Sequence, residues 1–144
     1  MAMAPATDLF DTLIHLRRGG VAEVAQPSTR LNALAARGDA GLWSVGACHA
    51  DNDRAVHSDV WERHPSGDEV LCVLSGVVHV YLRDHGDGTV PVATLAAGQS
   101  FVVPVGRWHR LAVVEAGDLL AITPRVDTQH EQVSHAHTER SVTA

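Results

Sequence analysis

Two short stretches of this chain concentrate the residue types that hold metals and move protons. In the first, Trp61-Glu62-Arg63-His64-Pro65-Ser66-Gly67-Asp68-Glu69, Glu62 and His64 stand two apart. An extended backbone therefore sends both side chains to the same face. A turn through Pro65-Ser66-Gly67 then opens a strand whose first inward side chain can be Glu69. In the second stretch, Gly98 to His109, a strand ends at Pro104, the chain turns on Gly106, and a new strand begins at His109. Imidazoles and carboxylates at the starts of paired strands can converge on one point, which is what a divalent metal requires.

The elements that must position these residues read as short strands with frequent punctuation. Leu42 to His49, Glu69 to Leu74, Val77 to Arg83, Val90 to Leu95, Ser100 to Val103, His109 to Val114 and Leu119 to Thr123 are apolar and rich in β-branched residues. Ser75-Gly76, the run from Asp84 to Gly88, Gly98, Pro104 to Gly106 and Ala116 to Asp118 supply the turns between them. No helical pattern separates these strands, so the spacing predicts an all-β sandwich or barrel over residues 41–124. Residues 1–40 read differently. Leu9, Leu13 and Leu16 recur at helical spacing behind the capping residues Thr7 and Asp8, and Thr29 can cap a second short turn from Arg30 to Ala36. An extended N-terminal arm is an equal reading, because Leu13-Ile14-His15-Leu16 also suits a strand. After Pro124 the apolar pattern fades, and residues 125–144 read as a C-terminal tail.

The spacing of the two stretches resembles the motifs of the cupin superfamily. In the first cupin motif a glycine precedes His-x-His, a glutamate follows, and a glycine closes; His64, Glu69 and Gly76 fall on the second His, the Glu and the final Gly. In the second motif a glycine precedes Pro-x-Gly, a histidine follows, and an asparagine closes; Gly98, Pro104, Gly106 and His109 match it. Three positions depart from the pattern: Glu62 replaces the first His, Val56 the opening Gly and Val113 the closing Asn. The resemblance implies a double-stranded β-helix, a jelly-roll-like cupin barrel with an N-terminal arm or short helix, and a metal in its mouth. The ligand set it implies is Glu62, His64, Glu69 and His109. Two ionised carboxylates would make a divalent site formally neutral and less welcoming to anionic substrates than a three-histidine site. Such mixed nitrogen and oxygen ligation suits one divalent transition metal, whether iron, zinc, manganese or nickel. Glu62 can instead stay off the metal and act as the catalytic base, or face solvent paired with Arg63 or Arg107.

Trp43, Val45, Ala47 and His49 share one face of their strand, so His49 lines the pocket if that face points inward and is a polar strand end otherwise. Val73, Phe101, Val103 and Leu111 are expected to form the apolar wall that binds substrate. His57 lies before the first motif at a spacing unsuited to replacing the missing histidine. His79 and His85 read as surface groups, and His130, His135 and His137 as tail residues. Trp61 and Trp108 should point away from the ligands by strand alternation.

Composition excludes several classes. The 144 residues make room for one domain, with 45% hydrophobic and 19% charged residues. A net charge of −6 and no basic run beyond Arg17-Arg18 argue against nucleic acid. No apolar run is long enough to span a bilayer as a helix, and the first residues lack the blocks of a secretory signal. Cys48 and Cys72 make no disulfide framework, so a cytoplasmic location is expected. No Gly-x-Ser-x-Gly, phosphate-cradling loop or Cys-x-x-Cys occurs. The expected function is a metal-dependent enzyme on a small organic substrate, by isomerase, cyclase, lyase or dioxygenase chemistry; the alternative is a non-enzymatic module that binds a small molecule or metal. The resemblance also implies a homodimer.

Overall fold

In the computed structural model, which describes residues 3, 5–25 and 43–134, the chain is built from short antiparallel strands. In chain order these are β1 (Leu13–Arg17), β2 (Val21–Ala25), β3 (Trp43–Ala50), β4 (Val60–Arg63), β5 (Glu69–Val73), β6 (Val77–Leu82), β7 (Ala93–Ala96), β8 (Ser100–Val103), β9 (His109–Glu115), β10 (Gly117–Pro124) and β11 (Gln129–Gln132). They form a six-stranded sheet in the order β2-β1-β3-β10-β5-β8 and a five-stranded sheet in the order β11-β4-β9-β6-β7. The core lies between the sheets: Leu71, Val73, Val103 and Leu119 from the first pack with Val78, Val80, Leu82 and Leu95 from the second. Alternation within each strand supplies this, as in β5 and β6, where every second residue is buried. The all-β jelly-roll reading of the sequence is what the chain adopts.

The N-terminal segment resolves its two readings in favour of strands. Leu13–Arg17 pairs with both β2 and β3, and only a turn at Asp8 remains of the helical spacing, with Asp11 N–H donating to the Asp8 carbonyl at 3.1 Å. The barrel pairing is stronger here because Leu13 and His15 bury one face of β1 while β3 offers it a free edge. The turn expected over Arg30 to Ala36, with its cap at Thr29, lies outside the described residues. Beyond Pro124 the chain does not stop contributing: Gln129–Gln132 forms β11 and adds an edge strand beside β4. All four of its residues are exposed. That strand has no apolar alternation to betray it, since its side chains bury little and its backbone pairing holds it.

The two strand-turn-strand units noted in the sequence are fastened to each other. Gly106 N–H donates to the His64 carbonyl at 3.0 Å, and Val105 N–H donates to Asp68 Oδ1 at 2.7 Å. Gly106 takes φ +72° to make this turn, a region that suits glycine. The loops carrying His64 and His109 are thus tied by the backbone itself.

Candidate metal centre

The ends of β4, β5 and β9 meet at one end of the barrel. Glu62 and His109 are direct partners across β4 and β9, so their side chains leave the five-stranded sheet on the same face. His64 follows β4 by one residue. Glu69 opens β5 on the opposite sheet and reaches across to both imidazoles. Its Oε1 lies 3.0 Å from His109 Nε2, and its Oε2 lies 3.3 Å from His64 Nε2. Glu62 Oε1 lies 3.3 Å from the same His64 Nε2. His64, Glu69 and His109 are buried, whereas Glu62 is only partly so. The four residues that the sequence nominated as ligands therefore meet.

Hydrogen bonds fix which ring nitrogens face the centre. His109 Nδ1 donates to the Arg107 carbonyl at 3.1 Å, which leaves Nε2 aimed at Glu69. His64 Nδ1 lies 2.9 Å from Thr128 Oγ1. The Thr128 hydroxyl reaches the Arg125 carbonyl at 3.0 Å, and with its proton there it accepts from an imidazole protonated on Nδ1. His64 Nε2 is buried and makes no hydrogen bond, although carboxylate oxygens of Glu62 and Glu69 stand 3.3 Å away. Thr123 Oγ1 donates to Glu69 Oε2 at 2.7 Å and holds that carboxylate in place. Burial pushes against ionisation of Glu69, but the hydrogen bond from His109 and the charge of the two facing imidazoles outweigh it and hold its pKa well below the usual carboxylate range. Burial likewise opposes a charged His109, and its hydrogen bond to Glu69 overrides this and raises its pKa.

Lone pairs from two imidazoles and an ionised carboxylate thus face one small volume, and such a set is stable only around a cation or shared protons. Glu62, His64 and His109 each offer one ligand atom, all within 4.8 Å of one another. The orphaned Nε2 of His64 is the specific sign that these residues fit a metal ion: a buried acceptor without a partner costs stability, and a metal would satisfy it.

Beside the centre opens a cavity of about 340 Å³, lined at one end by Glu62, Glu69 and His109 and along its walls by Val56, Leu71, Leu111 and Leu119. Of the expected substrate wall, Leu111 is there. Val73 and Val103 are fully packed in the core, and Phe101 packs against that core, so they stand behind the cavity and do not line it. His49 is a correction as well. Its register opposite Asp118 turns it to the outer side of β3, where it accepts Asp118 as a partner at 2.7 Å and stacks on Phe10 at 4.2 Å. Cys48, its neighbour, takes the inward position on the cavity wall. The Asp118 hydrogen bond raises the His49 pKa.

Three cavity residues were missed or discounted in the sequence. His130 of β11 stands directly opposite Glu62, with Nε2 3.8 Å from Oε1, and lines the cavity with His57 and Arg125. Nothing in the local pattern around His130 marks it, because its strand is exposed on every residue. Glu62 does not pair with Arg63 or Arg107: Arg63 donates to Gln129 and Arg107 to Asp84. Trp108 points away from the centre, between the guanidinium groups of Arg63 and Arg83, and Trp61 packs beneath Arg110. Among the described residues no helix is long and apolar enough to cross a membrane. Cys72 is a free thiol.

Residues 55–123 match the family model for the cupin domain. No curated protein sequence matches the chain. Among solved structures, a cupin-2 domain containing protein from Shewanella frigidimarina is 25% identical with a TM-score of 0.44, covering 58% of this chain and 71% of that one. A hydroquinone 1,2-dioxygenase in complex with Cd2+ and 4-hydroxybenzonitrile is 23% identical with a TM-score of 0.41, covering 56% of each chain. A hydroxypropylphosphonic acid epoxidase from S. wedmorenis is 26% identical with a TM-score of 0.41, covering 60% of this chain and 44% of that one. The chain thus spans under two thirds of either enzyme.

Proposed function

We propose that this chain, whose residues 55–123 match the family model for the cupin domain, is a metal-dependent enzyme acting on a small organic substrate bound in the cavity beside the centre. The observation that carries this reading is the buried His64 Nε2, left without a hydrogen bond and facing Glu62 and Glu69 while Thr128 occupies its other nitrogen. His64, His109 and Glu69 would hold the ion. A bound divalent transition metal supplies Lewis acidity toward a carbonyl or enol oxygen and, where it is iron, access to dioxygen chemistry. The chain's own residues do the rest. Leu71, Leu111 and Leu119 exclude water from an apolar body of the substrate, and Thr123 keeps Glu69 oriented. Glu62, partly exposed at the cavity edge with His130 behind it, is placed to take or return a proton. These roles fit isomerase, cyclase, lyase and dioxygenase chemistry alike.

The test is the metal content of protein purified without a metal-affinity step, by elemental analysis. Wild type is expected to carry about one equivalent of a transition metal, with His64→Ala and His109→Ala each carrying little. Wild type that is metal-free and refuses added metal would sink the proposal. A non-enzymatic binding module is supported by Glu62 itself. If Glu62 closes the centre as a fourth protein ligand, the ion has less room for substrate, and the site binds without turnover.

A homodimer belongs to the same proposal. Strand partners share a face, and the register places Val24, Ile14, Val45, Ile122, Val70 and Val102 in one row across the six-stranded sheet. Val24 and Val102 are 45% and 51% exposed. This outward row carries no charge and spans about 24 Å across its five gaps of ~4.8 Å, a scale suited to a standard interface. The outer face of the other sheet bears Arg63, Arg83 and Arg110 and does not complement it. A second copy presents the same uncharged row, as twofold pairing demands. Val102→Asp is expected to shift the protein from dimer to monomer in light scattering while leaving its metal content intact. A wild type that runs as a monomer at all concentrations would refute the dimer.

A further inference from the structure

We propose that Thr128, which lies beyond the matched cupin region, is a positioning residue for the metal centre, acting through His64. The inference rests on the metal reading above and deepens it. Thr128 ends a turn that begins at Arg125: its N–H donates to the Arg125 carbonyl at 3.3 Å and its hydroxyl donates to the same oxygen at 3.0 Å. Asp127, inside this turn, takes φ +60°. The turn delivers the chain into β11, whose pairing of Gln129 with Arg63 and His130 with Glu62 sets its register against β4. Position 128 is thereby held beside His64 by backbone on both sides.

The chemistry of the pair is one-directional. With its proton on the Arg125 carbonyl, Thr128 Oγ1 acts toward His64 Nδ1 as an acceptor, at 2.9 Å. The neutral imidazole must carry its proton on Nδ1 and present the Nε2 lone pair to Glu62 and Glu69. The opposite tautomer would turn the Thr128 proton away from the Arg125 carbonyl and put a proton where the metal belongs. An outer hydrogen bond of this kind fixes ring orientation and tautomer of a ligating histidine, and its loss weakens metal binding by roughly 10–100-fold. His109 obtains the same service from the Arg107 carbonyl. His64 depends on a side chain instead, and thus on which residue occupies position 128.

The experiment compares zinc affinity, by competition with a chromophoric chelator, in wild type, Thr128→Val, Thr128→Ser and Thr94→Val. Thr94 serves as the control because its hydroxyl meets His79 Nδ1 at the same 2.9 Å, away from the centre. Thr128→Val is expected to bind zinc roughly 10–100-fold more weakly, with Thr128→Ser close to wild type and Thr94→Val unchanged. Melting of the metal-free proteins checks that each variant folds, and Thr128→Ala replaces Thr128→Val if the latter does not. Wild-type affinity in a folded Thr128→Val, or an equal loss in Thr128→Ser, overturns the positioning role while leaving the metal centre standing. Failure of wild type itself to bind zinc overturns the centre and this role together.

Discussion

Glu69→Gln is expected to abolish tight metal binding, whereas Glu62→Gln leaves most of it. Glu69 is buried, with one oxygen 3.0 Å from His109 Nε2 and the other 3.3 Å from His64 Nε2. Its negative charge acts where water does not screen it, and a unit charge at about 4 Å is worth roughly 4 kcal/mol at an effective dielectric of 20. Losing it should weaken a divalent ion by about 10³-fold or more. Glu62 reaches the same imidazole from the cavity edge with its side chain 34% exposed. Screening reduces its contribution to about tenfold or less. Dissociation constants from chelator competition decide the matter, and equal losses in the two variants would make Glu62 a full ligand. Once a substrate is in hand, turnover separates the readings further: an enzyme using Glu62 as base loses rate in Glu62→Gln at retained metal.

Gly117→Ala is expected to be the most damaging single-methyl change among the described glycines. A Cβ at Gly117 would collide with the Ser75 carbonyl and lie 2.5 Å from Gly76 N. Both are backbone atoms of a turn that cannot retreat. Leu74 and Ser75 donate to the Asp118 carbonyl at 2.8 and 3.3 Å, and Asp118 donates back to Ser75 at 3.1 Å. Gly76 is itself confined there by φ +80° and by the Glu115 carbonyl. Relieving the clash means breaking those bonds and separating β5 from β10, so a loss of about 3 kcal/mol or more is expected in urea denaturation. Gly106→Ala meets no atom within 4 Å and costs only the left-handed backbone penalty of about 1–2 kcal/mol. Similar midpoints for the two variants would show that the close approach at Gly117 relaxes freely.

Much of the barrel and of its centre was legible along the chain because it depends on short-range order. A strand period of two put Glu62 and His64 on one face, and glycine and proline marked where β8 ends and β9 begins. Ser100–Val103 and the start of β9 at His109 fall where the pattern put them. Local order also indicated that Trp61 and Trp108 would turn away from the ligands.

Period alone names two faces without saying which one is inside. For β3 that decision came from pairing with β10, which set His49 against Asp118 on the outer side and left Cys48 to the cavity. Volume decided Val73, Phe101 and Val103: the interior there is filled by side chains from both sheets, so apolar residues that looked like a substrate wall became core. The segment after Pro124 shows the limit most clearly. Its polar residues carry no periodic signal, and β11 exists because β4 has a free edge to receive it. Thr128 and His130 acquire their places beside His64 and Glu62 only through that pairing. The sequence by itself determined the candidate ligand types, their spacing and the all-β class, since these follow from neighbours in the chain. Only the tertiary structure decided that Glu69 crosses from one sheet to the imidazoles of the other, and which hydroxyl orients His64, because those contacts join residues that are distant in sequence.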